Sequence, residues 1–368
     1  MKLRAFFGKL KKMDFVLLTA TFLITLFSLI NIYTLEINTG NGELFNFKKQ
    51  VIALAIGAAC MVFFAVIDYR WYRDGAYLAY AVGLILLALV LAYGNTIRGT
   101  TGWFKIGAFS LQPVEFAKVF TVLALGRFIA EMRGKTRSAL FVIGTAVITF
   151  APVFLIILQK DFGSTILFFG TWATLLFLAK IPKSHALIVY GLFIAVSIFG
   201  WHNFLAVYQK NRILNFIDPT RDPLGTGYNV TQSLIAIGSG RILGRGLGLG
   251  SQSSLNFLPE QQTDFIFATI AEGTGIIGAT LLILFLLILF LRFLRISKKA
   301  KEVFGIFAAA GIAAMFFIQT AISIFMNLGL APVTGLPFPL VSVGGSSLVA
   351  SFIMIGIMQS IAIHRSEE

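Results

Sequence analysis

The chain has 368 residues, of which 57% are hydrophobic and 12% are charged, about half the charged share of an ordinary soluble domain. Too few polar groups exist to cover a globular surface, which excludes a water-soluble enzyme, a disordered chain and a disulfide-built secreted scaffold. The net charge of +14 then becomes a question of which side of a membrane holds the cations.

A bilayer-crossing helix needs roughly 20 mostly apolar residues, because the hydrocarbon core is ~30 Å thick and the rise is 1.5 Å per residue. In chain order the apolar runs predict ten spans, at 15–35, 50–67, 76–93, 114–130, 138–158, 162–179, 185–207, 265–291, 304–326 and 343–363. The expected fold is one all-α polytopic membrane domain of ten transmembrane helices over 1–368. The basic stretch Lys9, Lys11 and Lys12 before the first run resembles a signal peptide. The run is too long for one and no small-x-small cleavage site follows, so a retained anchor is expected. Cys60, the one cysteine, falls in the second run as a small packing residue and excludes an intrachain disulfide.

Assigning connections to alternate sides puts 19 of the 30 Lys and Arg and seven of the 16 Asp and Glu on the side of the N-terminus, from Lys2 and Arg4 to Arg365. Positive charge marks the cytoplasmic side. Both termini are therefore expected there, 1–14 as a basic tail and 364–368 as a short one. Sorted this way, the excess charge is a topology signal, and no nucleic-acid partner is expected. Three substantial segments fall on the outer side: 94–113, 208–264 and 327–342. The middle one, between spans seven and eight, far exceeds the usual connection of ~4–6 residues, so function is expected on the outer face.

Ionisable residues inside a span cost several kcal/mol and are suspects for function. The fourth span opens Gln112-Pro113-Val114-Glu115-Phe116-Ala117-Lys118, with proline suited to a first helical turn. Glu115 and Lys118 share a helical face; they either neutralise each other or present Glu115 to a wet cavity. In the short turn Gln159-Lys160-Asp161-Phe162-Gly163, Asp161 either caps the sixth helix through Gly163 or Ser164 or belongs to a site. Asp264 opens the eighth span, as a cap or as a general base meeting a lipid-borne hydroxyl. Glu272 lies two turns deeper, where an Arg or Lys on a neighbouring helix is the expected partner. Within 208–264, the spacing of Val230, Leu234, Ile235 and Gly238 predicts a helix lying at the interface. Residues 238–250, GSGRILGRGLGLG, lack the Gly-Lys-Ser/Thr ending of a nucleotide loop. Arg241 and Arg245 either hold the phosphates of a lipid-linked substrate or touch anionic headgroups. The Pro- and Gly-rich stretch from Asn327 to Ser347 is tolerated at membrane depth only when buried in protein or lining a cavity.

Four stretches together resemble the SEDS family of cell-wall polymerases, which includes RodA and FtsW. The first is Trp103-Phe104-Lys105-Ile106-Gly107 followed by Gln112 to Lys118. The second is Gln159 to Gly163. The third runs from Asn211-Arg212 through Asp222-Pro223-Leu224-Gly225, Gly227-Tyr228 and Gln232-Ser233 to Asn256-Phe257-Leu258-Pro259-Glu260 and Thr263-Asp264-Phe265. The last runs from Pro332-Val333-Thr334-Gly335-Leu336-Pro337 to Ser342-Val343-Gly344-Gly345-Ser346-Ser347.

The resemblance covers essentially the whole chain. It implies a peptidoglycan glycosyltransferase of the bacterial cytoplasmic membrane that joins lipid II units into glycan strands on the outer face. It implies Asp264 as the essential aspartate, with Glu115, Lys118 and Asp161 as motif residues. Its implied partners are a class B penicillin-binding protein and the elongation or division machinery. Lys160, Phe162, Val114 and Val343 depart from the usual pattern. Gly273 replaces the second acid of a Glu-Glu pair, leaving Glu272 alone. The short ends and the Asn-Phe-Leu-Pro-Glu wording favour the RodA elongation branch over FtsW. The reaction expels a polyprenyl pyrophosphate, which needs positive charge from Arg212, Arg241 or Arg245 or from a divalent cation (Mg2+ or Mn2+); no organic cofactor is expected. The rivals are a lipid II flippase or other transporter and a non-catalytic scaffold.

Overall fold

Several helices begin where a side chain satisfies the free amides of a first turn. In the computed structural model, which describes residues 8, 11–38, 44–97, 99–107, 109–203, 207–218 and 225–364, Asp14 accepts from the Leu17 amide at 3.0 Å to open α1 (Phe15–Asn38). Glu36, near the end of α1, accepts from the amides of Asn46 and Phe47 at 2.8 and 3.0 Å and so caps α2 (Phe45–Val66) from a neighbouring helix. Asp68 caps α3 (Tyr69–Tyr93) and Ser138 caps α5 (Ala139–Leu158). Between these, α4 (Pro113–Glu131) carries Pro113 in its first turn. The chain continues through α6 (Phe162–Leu178), α7 (Lys183–Asn203), α8 (Val207–Ile217), α9 (Thr226–Gly240), the single turn α10 (Ser251–Ser254), α11 (Ile266–Lys299), α12 (Val303–Asn327) and α13 (Gly345–His364). The cations Lys2, Arg4, Lys9 and Arg365 and the stretch Asp222-Pro223-Leu224 lie outside the described residues.

Among the described residues seven helices, α1, α2, α3, α5, α11, α12 and α13, are long and apolar enough to cross a membrane by length and composition. Ten spans were expected, and the other three runs fall below this measure. Of these three, α6 is 17 residues long and α7 is 21, opening on Lys183, Ser184 and His185. The third, α4, carries Glu115, Lys118, Arg127 and Glu131. It tolerates them because it is an inner helix, with most residues from Pro113 to Ile129 buried by neighbours. The centre of the bundle is α13, buried on nearly every side from Ser346 to His364, as befits a helix apolar all round. In lipid, association relies on close packing rather than expulsion of water. A Cβ at Gly356 would lie 2.7 Å from the Met61 carbonyl, so α13 and α2 meet backbone to backbone. The exterior is apolar, with Phe22, Phe63, Leu78, Phe154 and Phe177 more than half exposed, the surface of a polytopic membrane protein.

The fold is mostly helical, not all-α. Segment 94–113 forms a three-stranded antiparallel sheet, β1 (Asn95–Ile97), β2 (Thr100–Ile106) and β3 (Phe109–Leu111), in that order. Asn95 pairs with Trp103 and Phe104 with Leu111. Gly99 and Gly107, at φ +81° and +60°, supply the tight turns. The sheet is fastened to helix ends: the Thr101 amide donates to the Gln159 carbonyl (3.1 Å) and Ser346 Oγ to the Ser110 carbonyl (3.2 Å).

The helix predicted within residues 208–264 is present as α9. Its small residues Ser233 and Ala236 face inward while Leu234 and Ile235 are nearly half exposed. The glycine-rich stretch after it mends a break in α11. Gly275 there has φ +66° and ψ −166°, which frees peptide groups on both sides. Arg245 and Gly246 amides donate to the Glu272 and Gly273 carbonyls (both 3.0 Å), and Ile276 and Ile277 amides donate to the Arg241 and Ile242 carbonyls (2.9 and 3.3 Å). A Cβ on Gly244 would fall 2.2 Å from the Gly273 carbonyl; the glycines are required by this close approach.

Candidate active site

Asp264 ends an irregular run, Glu260 to Asp264, just before α11, and is half-buried. The residues before it are pinned from the 338–344 segment: Ser342 Oγ donates to the Thr263 carbonyl (2.6 Å) and the Val343 amide to the Gln262 carbonyl (2.9 Å). Its own carbonyl accepts from Asn327 Nδ2 at 2.9 Å. The carboxylate lies beside Gly335, where a Cβ would stand 3.9 Å from Oδ2. Gly335 has φ +74°, a conformation that glycine adopts at no steric cost.

Of the other predicted residues, Arg212 bonds the segment 333–337 directly, and Glu115, Lys118 and Asp161 are connected to it through Gln319 and Gly163. Glu115 and Lys118 form an ion pair of 2.7 Å with side chains 2% and 1% exposed, as their spacing predicts. Lys118 Nζ also donates to Gln319 Oε1 (3.1 Å), and Gln319 Nε2 donates to the Pro337 carbonyl (2.7 Å). Asp161 caps α6, accepting from the Ser164 amide (3.0 Å) and hydroxyl (2.7 Å). Burial pushes its carboxyl above the ordinary value, and the Ser164 bonds offset part of that rise. One residue into α6, Gly163 meets the segment: a Cβ there would lie 2.8 Å from the Thr334 carbonyl. Arg212, on α8, donates from Nη1 to the Val333 carbonyl (3.3 Å) and, with Asn215, Val230 and Pro332, lines a small cleft. The 333–337 stretch thus joins Asp264 to a buried ion pair, a helix cap and an arginine. Its burial at Val333 and Leu336, continued at the following Phe338, matches the condition for irregular backbone in a membrane protein.

Glu272, Arg241 and Arg245 belong to a different place. Glu272 is fully buried, and its partners correct the expectation of a cation. Oε1 accepts from the Gln252 amide (2.9 Å), and Oε2 accepts from the Ser253 amide (3.1 Å) and hydroxyl (2.7 Å). A carboxylate surrounded by neutral donors at the start of a helical turn needs no salt bridge. Arg241 and Arg245 are exposed, the latter donating from Nε to the Ser239 carbonyl (3.1 Å). Arg241 is bound at Ile276, about 15 Å along α11 from its start at 1.5 Å per residue.

Sequence reasoning weighed ionisable residues, passed over Gln319, and quoted Asn327 and Ser342 within longer stretches without giving them a role; all three are neutral groups that bond the charged ones or the backbone beside them. Their signal was a lone amide or hydroxyl at the edge of an apolar run. Among the described residues no group of three or more His, Cys, Asp and Glu is placed to hold a metal ion.

The family model for cell cycle proteins of the FTSW_RODA_SPOVE type matches residues 12–367. The chain is 36% identical over 357 residues to the peptidoglycan glycosyltransferase MrdB of Escherichia coli K12, covering 96% of this chain and 95% of that one. Stage V sporulation protein E of Bacillus subtilis 168 is 33% identical over 362 residues (95% and 96% covered), and the FtsW protein of Thioalkalivibrio sp. strain K90mix is 36% identical over 365 (96% and 90%). Among solved structures, a chain of a peptidoglycan synthase complex that coordinates polymerization and crosslinking superimposes with a TM-score of 0.82 at 27% identity, covering 97% and 99%. The rod shape determining protein RodA of Thermus thermophilus shares the fold, with a TM-score of 0.72 at 24% identity (97% and 98% covered).

Proposed function

The chain belongs to the SEDS family of RodA- and FtsW-like proteins, and from that premise we propose how its outer-face site works as a peptidoglycan glycosyltransferase that polymerises lipid II in the bacterial cytoplasmic membrane. The observation that supports the reading is that Asp264 lies beside segment 333–337, which Arg212 bonds directly and which Gln319 and Gly163 link to the Glu115–Lys118 pair and to the Asp161 cap. A half-buried carboxylate held at a loop–helix junction is suited to take the proton of a sugar hydroxyl as it attacks. The donor leaves as a polyprenyl pyrophosphate, whose charge Arg212 is placed to stabilise, its guanidinium being two residues along the segment from Gly335. Arg241 and Arg245 would meet lipid phosphates at a second patch along α11.

The work is that of cell elongation and rod shape; the comparable identities to MrdB and to an FtsW leave septal synthesis as the alternative role. The topology we favour has ten spans, with α4, α6 and α7 added to the seven, both termini cytoplasmic, and residues 208–264 outside between the seventh and eighth spans. The excess of cations on the side of the N-terminus supports it. The partner we favour is a class B penicillin-binding transpeptidase, supported by the likeness to a chain of a synthase complex. A divalent cation would arrive on the substrate's pyrophosphate, and no step here depends on it; polymer yield unaltered by a chelator would remove it.

The test is incubation of detergent-purified protein with labelled lipid II. Polymer is expected from the parent and none from Asp264→Ala, which should remain folded. Normal polymer from Asp264→Ala sinks the assignment of the base. Translocation in vesicles without polymer would instead favour the flippase.

A further inference from the structure

Asp264 has no place in the hydrogen-bond ladder of α11. The amides of Ala268 and Thr269 both bond to the carbonyl of Phe265 (3.1 and 3.3 Å), so the Asp264 carbonyl is left outside the helix. Asn327, at the end of α12, takes it up. Its Nδ2 donates to that carbonyl at 2.9 Å and to the Ser323 carbonyl at 2.8 Å, while its Oδ1 accepts from the Ala268 amide at 3.0 Å. Its main-chain carbonyl accepts from Ser233 Oγ at 2.7 Å, tying in α9. Asn327 is 0% exposed, so water does not replace these bonds when they are lost.

The direction of a Cα–Cβ bond follows the residue's own φ and ψ. Thr263 and Gln262 are held from one side by Ser342 and Val343, and Ile266 onward is helix. The peptide plane between them, that of Asp264, is held by the Asn327 amide. We infer that Asn327 is a positioning residue for Asp264: it sets the torsions that aim the carboxylate past Gly335 toward the acceptor hydroxyl. The inference rests on Asp264 being the reacting carboxylate. Displacing a reacting group by ~1 Å costs on the order of 100-fold in rate, and a supporting shell has to hold its geometry within about 0.5 Å.

Two substitutions separate aim from fold. Asn327→Asp keeps the shape and the acceptor for Ala268 but loses the donor to Asp264, and Asn327→Ala loses both. Leu289→Ala, at a fully buried site on α11, supplies a destabilised control remote from Asp264. With the full-length protein and lipid II, both Asn327 variants should lose about 100-fold in kcat with KM changed by less than about threefold. Hydrogen exchange at 265–269 should quicken in both, and Leu289→Ala should keep the parental kcat per folded molecule. An Asn327→Asp enzyme within about threefold of the parental kcat, a loss confined to KM, or an equal loss in Leu289→Ala overturns the inference while an active parent leaves the polymerase reading standing. A folded parent that makes no polymer overturns that reading, and this inference with it.

Discussion

Replacing Lys118 with methionine removes half of an ion pair whose atoms are 2.7 Å apart and whose side chains are 1% and 2% exposed. The Glu115 carboxylate would then be buried without its cation, and Gln319 Oε1 would lose the Nζ donor at 3.1 Å. Breaking one side of such a pair costs ~3–5 kcal/mol. The pair Arg127–Glu131 has the same 2.7 Å separation, but its side chains are 27% and 48% exposed. Solvent screening there reduces that pair's own contribution to ~0.5 kcal/mol, separated by its own double-mutant cycle from the bonds that Arg127 also gives the Arg73 and Asp74 carbonyls (3.1 and 2.7 Å). The contrast isolates burial from distance. Combining Lys118→Met with Glu115→Leu removes both charges and should recover most of the loss, because two apolar groups of similar volume leave no orphan charge. The assay is equilibrium unfolding in mixed micelles, run as a double-mutant cycle. A Lys118→Met loss as small as the contribution of the Arg127–Glu131 pair, or a double variant no more stable than the single, would refute the reasoning.

Three other outcomes follow from particular contacts. Gly250→Ala puts a Cβ 2.2 Å from Glu272 Cδ and should cost roughly 3 kcal/mol, the upper end for an overpacked site; unfolding unchanged by the substitution would contradict the geometry. Glu272→Gln turns one acceptor toward the Gln252 and Ser253 amides into a donor, with an expected loss of ~1–3 kcal/mol. Polymerisation per folded molecule should stay parental, unlike that of Asp264→Ala. Asp161→Asn keeps an oxygen to cap Ser164 and removes a carboxyl whose acidity burial has weakened. Because the folded pKa lies above the ordinary 3.8, the charged form costs stability above that folded value and the cost fades as pH falls to 3.8. The variant should therefore be at least as stable as the parent at pH 7, with the advantage shrinking in acid, and a clear loss at pH 7 would count against it.

The sequence-derived picture succeeded where information was local. Lys118 follows Glu115 by three positions, so one helical turn makes the pair, and Asp161 caps the next turn for the same reason. It fell short where a partner came from elsewhere. Glu272 was expected to meet a cation and meets the amides of Gln252 and Ser253, because the single turn α10 folds back onto α11. The glycines of 238–250 had several readings, and the backbone contacts at Gly275 show them mending a helix. Segment 94–113 carried no long apolar run, and its pairing into a sheet depends on two turn glycines and on docking to Gln159 and Ser346.

Length, hydropathy and charge by themselves determined that this is a polytopic membrane protein, and placed most helix starts, since membrane burial is additive over ~20 consecutive residues. They also singled out Asp264, Glu115 and Asp161, since few acids occur near apolar runs. The tertiary structure alone decided which of these act together. Lys118 reaches Gln319 across 201 positions and Arg212 reaches Val333 across 121, contacts that arise from how helices pack and that no local pattern encodes. Packing likewise made 333–337 the meeting point and left Glu272, Arg241 and Arg245 outside it.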